Sequence, residues 1–352
     1  MFGLVLAGGE GSRLRPFTFS TPKHLIPLLG RAMIEYPIVH LAEAGVSEVG
    51  VVVGYLGHLI QEHLGDGSRL GVRVRYFWQE RRLGIAHAIS LALPELKGPF
   101  VVYLGDNILA GGIKRHVRAF LEGDFDVYIL LARVPDPSRF GVAVLRDGRV
   151  VKLVEKPREP ISDLAVVGVY MFRDPEDVAR AFSSLKPSWR GEYEVTDLIQ
   201  WFIDRGRRVG FDFVDGWWKD VGTPEGLLEA VYLLLDHAGA RVEGEVRGEV
   251  LGRVVVEKGA VVEGRVFGPA YVGPGAYVGR GAVVEHYVSL ESGARLASGG
   301  ASRSLLLSEA EVEVGGLRLV DSVLGRRSVV RSRRDLRGEA RLIISDFSRV
   351  EL

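Results

Sequence analysis

The 352-residue chain carries 45 Lys+Arg against 45 Asp+Glu, a net charge of zero, and 47% of it is apolar. That balance excludes the basic surface that nucleic acid or an anionic membrane requires, and the absence of cysteine excludes disulfides, thiolate metal sites and cysteine nucleophiles. No apolar run approaches the roughly 20 residues of a bilayer span, and the N-terminal run lacks a signal peptide's basic lead. The expectation is a soluble, cytoplasmic chain with room for two domains. Asparagine occurs once, at Asn107, and glutamine only at Gln61, Gln79 and Gln200. That depletion of thermolabile amides fits a thermophilic source, and high-GC codon usage gives the same arginine-rich look.

Phe2 to Ala7 is an apolar run without polar alternation, the pattern of a buried parallel strand. Gly8, Gly9 and Gly11 follow directly. Glycines turn a chain sharply and let a ligand approach the backbone, whose N–H groups can converge on phosphate oxygens. Arg13 adds a bidentate cation and Lys23 a point charge. The loop is not a Walker A motif, since no Gly-Lys-Ser/Thr closes it. It is a poor dinucleotide fingerprint, because Arg13-Leu14 stand where the third glycine belongs. The glycines alone equally fit a plain strand-to-helix turn.

Further on, Met33 to Ala44 has helical spacing and ends at Gly45. Glu48–Val53 and Val72–Trp78 read as strands, Gly84–Leu93 as helix and Pro99–Leu104 as a strand that ends at Gly105-Asp106-Asn107. Alternating strands and helices imply a parallel sheet with ligands at the strand C-termini, where Gly8, Gln79 and Asp106 all fall. Val127–Val134 is a strand, and Asp147-Gly148 between two apolar runs marks a hairpin. Ala165–Phe172 reads as a strand, and Pro175–Leu185, Val195–Asp204 and Glu225–His237 as helices. Near residue 240 the texture changes. Val266, Val272, Val278, Val284, Leu290 and Leu296 recur every six residues, with Val250, Val256 and Val262 in an earlier phase. A hexapeptide repeat predicts a β-helix; it blurs after residue 300. The expected domains are 1–237 and 238–352.

Nucleotidyl transfer needs in-line positioning and cations that offset developing charge, and Mg²⁺ wants carboxylates plus phosphate oxygens. Asp106 and Asp220 suit that role, although each also fits a turn or helix cap. The string GGEGSRLRP followed by TPKHLIP closely resembles the signature of the sugar-1-phosphate nucleotidylyltransferases. Within them, Gly105-Asp106-Asn107, Glu155-Lys156-Pro157, Arg190 to Asp197 and Trp218-Lys219-Asp220 match the glucose-1-phosphate thymidylyltransferase family in order. The tail ending Asp346 to Leu352 resembles that family's long form.

The resemblance implies an α/β, Rossmann-like nucleotidyltransferase domain with a mixed sheet, then a left-handed parallel β-helix. It implies that Asp106 and Asp220 hold Mg²⁺, and that Arg13 and Lys23 bind the triphosphate and leaving pyrophosphate beside Gly8, Gly9, Gly11 and Gly105. Gln79 and Gly84 would read the pyrimidine. Gly141, Glu155 and Val166, with Asn107, would face the sugar, and Lys156, pointing away from Glu155, would grip the sugar phosphate with Arg190. The implied reaction joins dTTP or UTP to glucose 1-phosphate and releases pyrophosphate, in a homo-oligomer. His24, Ser12, Asp163 and Phe140 depart from the family pattern and bear on which sugar fits. Two other readings stand beside it: a catalytically silent nucleotide-sugar sensor, and an added acyltransferase resting on His286, the β-helix's one histidine. The β-helix is expected to serve assembly and stability, so that a chain ending near residue 237 keeps some transfer activity.

Overall fold

The structure is a computed structural model that describes residues 1–334 and 336–352. It forms two compact units: Met1–Glu10 with Ile34–Asp220, and Gly11–Met33 with Val221–Leu352.

The first unit is built on a nine-stranded sheet. Its strands are β1 (Phe2–Ala7), β2 (Glu48–Val53), β3 (Arg73–Trp78), β4 (Phe100–Leu104), β6 (Val127–Arg133), β7 (Gly141–Arg146), β8 (Arg149–Glu155), β9 (Leu164–Phe172) and β10 (Val209–Phe213). A two-stranded ribbon joins β5 (Asn107–Leu109) to β11 (Trp218–Asp220). The sheet runs β8-β7-β9-β4-β1-β2-β3, with β6 on β9 and β10 on β6. β1 pairs in parallel with β2 on one side and β4 on the other. Leu4, Val5 and Ala7 are fully buried, so both sheet faces are covered and the run needs no polar alternation. The sheet turns antiparallel where β9 meets β4 and β6. The hairpin between β7 and β8 turns at Asp147 and Gly148, both at positive φ (49° and 70°), the geometry that Asp-Gly supplies at least cost. Helices α1 (Glu35–Glu43), α2 (Gly57–Leu64), α3 (Ile85–Ser90), α4 (Lys114–Glu122), α5 (Pro175–Ser184) and α6 (Val195–Asp204) complete the unit. Two of these, α2 and α4, and the strands β5, β10 and β11 fall in stretches to which the sequence reading assigns no element.

In the second unit the hexads become stacked parallel coils. Val272 pairs in register beside Leu290, and Val278 beside Leu296, three hexads on. Val256, Val262, Val266, Val272, Val278, Val284, Leu290 and Leu296 all lie at 0% exposure, so the sixfold spacing is the spacing of one buried stack. Beyond residue 300 the coils continue to Arg349–Glu351. The repeat blurs there because coils lengthen: Val323 pairs with Ile343, two residues more than three hexads.

The units are cut differently from a boundary at residue 237. Residues 11–33 and helix α7 (Pro224–His237) fold with the coils. Two acidic side chains far along the chain hold the early segment. Glu291, fully buried, accepts from the backbone N–H of Leu29 and Gly30 at 2.9 and 2.8 Å and from Ser289 Oγ at 2.6 Å. Asp346 Oδ2 accepts from Ser20 Oγ at 2.7 Å and Thr21 Oγ1 at 3.0 Å. A chain ending near residue 237 therefore loses both anchors of residues 20–30, which the expectation of an independent first domain did not foresee.

Glu291→Ala removes the acceptor of two part-buried backbone donors. The expected loss of unfolding free energy is about 2–3 kcal/mol, measurable by denaturant titration; an unchanged transition midpoint would show that Glu291 is no anchor.

Candidate active site

On the first unit the expected site residues gather at three places. At the exits of β1 and β3, a Cβ on Gly8 would lie 2.7 Å from Gln79 Oε1, so only glycine lets the two approach. Gln79 is 8% exposed, and its Nε2 donates to Gly84 O at 3.3 Å and His87 Nδ1 at 3.0 Å. Gly84 has φ 100°, and a Cβ there would meet Tyr193 O at 2.5 Å. Gly9 is exposed.

At the exit of β4, Gly105 N–H donates to Leu6 O at 2.9 Å. Asp106 and Asn107 follow, and β11 pairs antiparallel with β5 so that Asp220 stands opposite Asn107. The buried Asn107 locks this corner. Its Oδ1 accepts from Trp218 Nε1 at 2.6 Å and Gly168 N at 3.2 Å, and its Nδ2 donates to Asp106 Oδ1 at 2.9 Å. Asn107, expected toward the sugar, thus serves as the strut between the two aspartates' strands. Asp220 is not a helix cap: Thr223 caps α7, its hydroxyl accepting from Gly226 N at 3.1 Å.

The third place lies where β7, β8 and β9 meet α6. A Cβ on Gly141 would lie 3.2 Å from Glu155 Oε2 and 3.9 Å from Val166 Cβ, which brings these three expected sugar contacts together. Lys156 and Arg190 converge there too, with Lys156 Nζ 3.7 Å and Arg190 Nη1 3.5 Å from Glu155 Oε1. Lys156 does not point away from Glu155: its φ of 42° breaks the strand alternation and turns it to the same side. Burial, then the neighbouring Glu194, pushes the Glu155 carboxyl above the usual range, against the pull of Lys156 and Arg190. Burial likewise raises Glu194, which Arg190 contacts at 3.3 Å. Tyr170, buried on β9, connects the second and third places. Burial, then Glu155, Asp106 and Asp220, drives its hydroxyl far above its ordinary value.

The sequence reading did not single out Tyr170, Glu194, Thr196 or His87. Thr196 Oγ1 donates to Glu155 Oε2 at 3.4 Å; the run Arg190-Gly-Glu-Tyr-Glu-Val-Thr carried the signal, four and six residues past Arg190. Of the departures, Phe140 packs against Trp218 with its ring tilted by 59°, centres 5.2 Å apart, and Asp163 is paired with Arg133 at 2.6 Å on the surface.

On the second unit, Gly11 at φ 64° packs against Lys23, where a Cβ would lie 3.1 Å from Lys23 Cβ, and Thr18 Oγ1 donates to Gly11 O at 2.8 Å. Arg13 lies against Gly222, whose bare Cα leaves space for the guanidinium. His286 Nδ1 bonds Gly268 O at 2.5 Å on an exposed corner.

Among the described residues no three His, Asp or Glu gather into a metal cage. Two aspartates on paired strands suit a cation that takes one or two carboxylates and fills its other positions with water and phosphate, which is Mg²⁺'s habit.

The profile of the nucleotidyl transferase family matches residues 2–237. The chain belongs to that family. Over its full length it is 39% identical to the glucose-1-phosphate thymidylyltransferase of Streptomyces griseus, covering 99% of that protein. It is equally 39% identical, end to end, to the low-salt glycan biosynthesis nucleotidyltransferase Agl11 of Haloferax volcanii. The solved structure of a glucose-1-phosphate thymidylyltransferase from Bacillus anthracis superposes with a TM-score of 0.62 at 36% identity, covering 66% of this chain and 95% of that one. These full-length matches extend through the region that forms the coils here.

Because Glu155's carboxyl is raised, ionising it costs the folded state; that penalty is absent below the unfolded range, about pH 4.3, and complete once pH exceeds the folded value. Glu155→Gln should therefore melt roughly 1–3 °C higher at pH 7, the gain vanishing below pH 4. Equal melting at both pH values would contradict the shift.

Proposed function

We propose that the chain joins dTTP to glucose 1-phosphate, giving dTDP-glucose and pyrophosphate with Mg²⁺ as cofactor. The observation that carries this is the pairing of β5 with β11, which sets Asp220 opposite Asn107 and next to Asp106, in a chain whose full-length relatives include thymidylyltransferases. Asp106 and Asp220 would hold the cation. When bound, Mg²⁺ offsets phosphate charge and orients the α-phosphoryl group for in-line displacement.

The chain's own residues supply the rest. Gly8, Gly9 and Gly11 leave backbone open to the phosphates, and Arg13 and Lys23 neutralise the triphosphate and departing pyrophosphate. Glu155 accepts from sugar hydroxyls, with Gly141 and Val166 shaping the wall. Lys156 and Arg190 hold the sugar phosphate, whose oxygen attacks the α-phosphorus as the bond to pyrophosphate breaks. The convergence of Lys156 and Arg190 on Glu155 supports this division: the same cations balance the carboxylate and face the phosphate.

The test is a pyrophosphate-release screen against four nucleotides and several sugar 1-phosphates. Turnover is expected with dTTP and glucose 1-phosphate, and EDTA should abolish it. Asp106→Asn and Asp220→Asn should each lower kcat by roughly 10² or more, the loss of several kcal/mol of charge stabilisation. Full activity in EDTA removes the metal, and near-normal kcat in either variant removes that aspartate.

A further inference from the structure

A primary amide is ambiguous as a base reader. Turned one way it offers a carbonyl acceptor, turned the other an NH₂ donor, so a freely rotating glutamine matches an imide N–H and a bare ring nitrogen alike. Gln79 is not free to rotate. One proton of its NH₂ goes to Gly84 O, which can only accept, and the other to His87 Nδ1. Reversing the amide would set Oε1 against the Gly84 carbonyl and replace that bond by repulsion between lone pairs. With both protons committed, Oε1 is the atom that remains, and it faces the bare Cα of Gly8.

This arrangement needs His87 as an acceptor at Nδ1, hence neutral with its proton on Nε2. The surroundings favour the neutral ring, and the NH₂ that the Gly84 carbonyl turns toward it selects the tautomer with Nδ1 bare. Burial, then the charge of Arg81, holds the imidazole below its ordinary range. The ring is seated against Phe182, centres 6.5 Å apart, and its helix begins at Ile85, directly after Gly84. His87 therefore comes from the same turn that supplies the Gly84 carbonyl.

We infer that His87 is a positioning residue that locks the Gln79 amide as a pure acceptor, so that the site selects bases presenting an N–H on the edge read, as the imides of thymine and uracil do, and rejects cytosine, whose ring nitrogen has none. The inference rests on the reading of Gln79 as the base contact. The NH₂ group is spent on the protein, so the contact to the base runs through Oε1 alone. Thymine and uracil present the same N–H, so Oε1 does not distinguish them.

The experiment compares kcat/KM for dTTP and CTP, and the KM of glucose 1-phosphate, in the wild type, Gln79→Ala, His87→Phe and His87→Asn. Phenylalanine keeps a ring against Phe182 but removes the acceptor, while asparagine offers Oδ1 near the position of Nδ1. His87→Phe should raise the KM of dTTP about tenfold, the worth of one oriented hydrogen bond, and narrow the dTTP/CTP ratio about tenfold. The KM of glucose 1-phosphate should stay within about twofold, and His87→Asn should recover most of the ratio. If the Phe variant melts early, His87→Ala carries the same expectation. A folded His87→Phe or His87→Ala with an unchanged dTTP/CTP ratio overturns the inference, as does a loss confined to kcat. If Gln79→Ala itself leaves the ratio unchanged, Gln79 does not read the base and both ideas fall. If Gln79→Ala collapses the ratio and the His87 variants do not, the role of His87 alone is lost.

Discussion

Antiparallel pairing of Asn107–Leu109 with Trp218–Asp220 is the constraint on which the candidate site depends. Carboxylates repel, and two of them stay close only where the backbone holds them and a cation or donors compensate. Here the backbone part is done by a three-residue ribbon fastened by one amide. Asn107 takes the Trp218 indole N–H and the Gly168 N–H, and gives its own N–H to Asp106. The chain's single asparagine thus sits where a side chain must accept and donate at once, which an ionised aspartate cannot do.

The strand runs and the hexads were legible because each is a local periodicity with one physical cause: burial on both faces of a parallel sheet, or one buried position per hexad. Val266 to Leu296 stand in the buried stack that their spacing implied. The strand ends at which Gly8, Gln79 and Asp106 stand were legible for the same reason. What the sequence hid is pairing across distance. Neither Asn107–Leu109 nor Trp218–Asp220 has a pattern of its own; each is a strand only because the other is there. Lys156 was misread for a different cause. Alternation predicts opposite sides for residues 155 and 156, and a positive φ at Lys156 cancels it.

The segment that carries Gly11, Arg13 and Lys23 shows the same limit. Its signature is readable residue by residue, yet its partners Glu291 and Asp346 lie more than 250 positions away. A fully buried carboxylate is costly unless donors surround it, and three donors meet Glu291. The coils therefore hold the turn at Leu29-Gly30 and the Ser20-Thr21 step just before Lys23. That long-range anchoring gives the long form a structural reason to keep both parts on one chain.

The central claim is that Asp106 and Asp220 form one divalent-cation site in the presence of nucleotide. Titration of Mn²⁺, as a spectroscopic stand-in for Mg²⁺, into protein saturated with a non-hydrolysable dTTP analogue measures this directly by electron paramagnetic resonance. The account predicts one tight site in the wild type, weakened at least about tenfold in both Asp106→Asn and Asp220→Asn, consistent with loss of one of two protein ligands. Unchanged Mn²⁺ affinity and stoichiometry in both variants would contradict it.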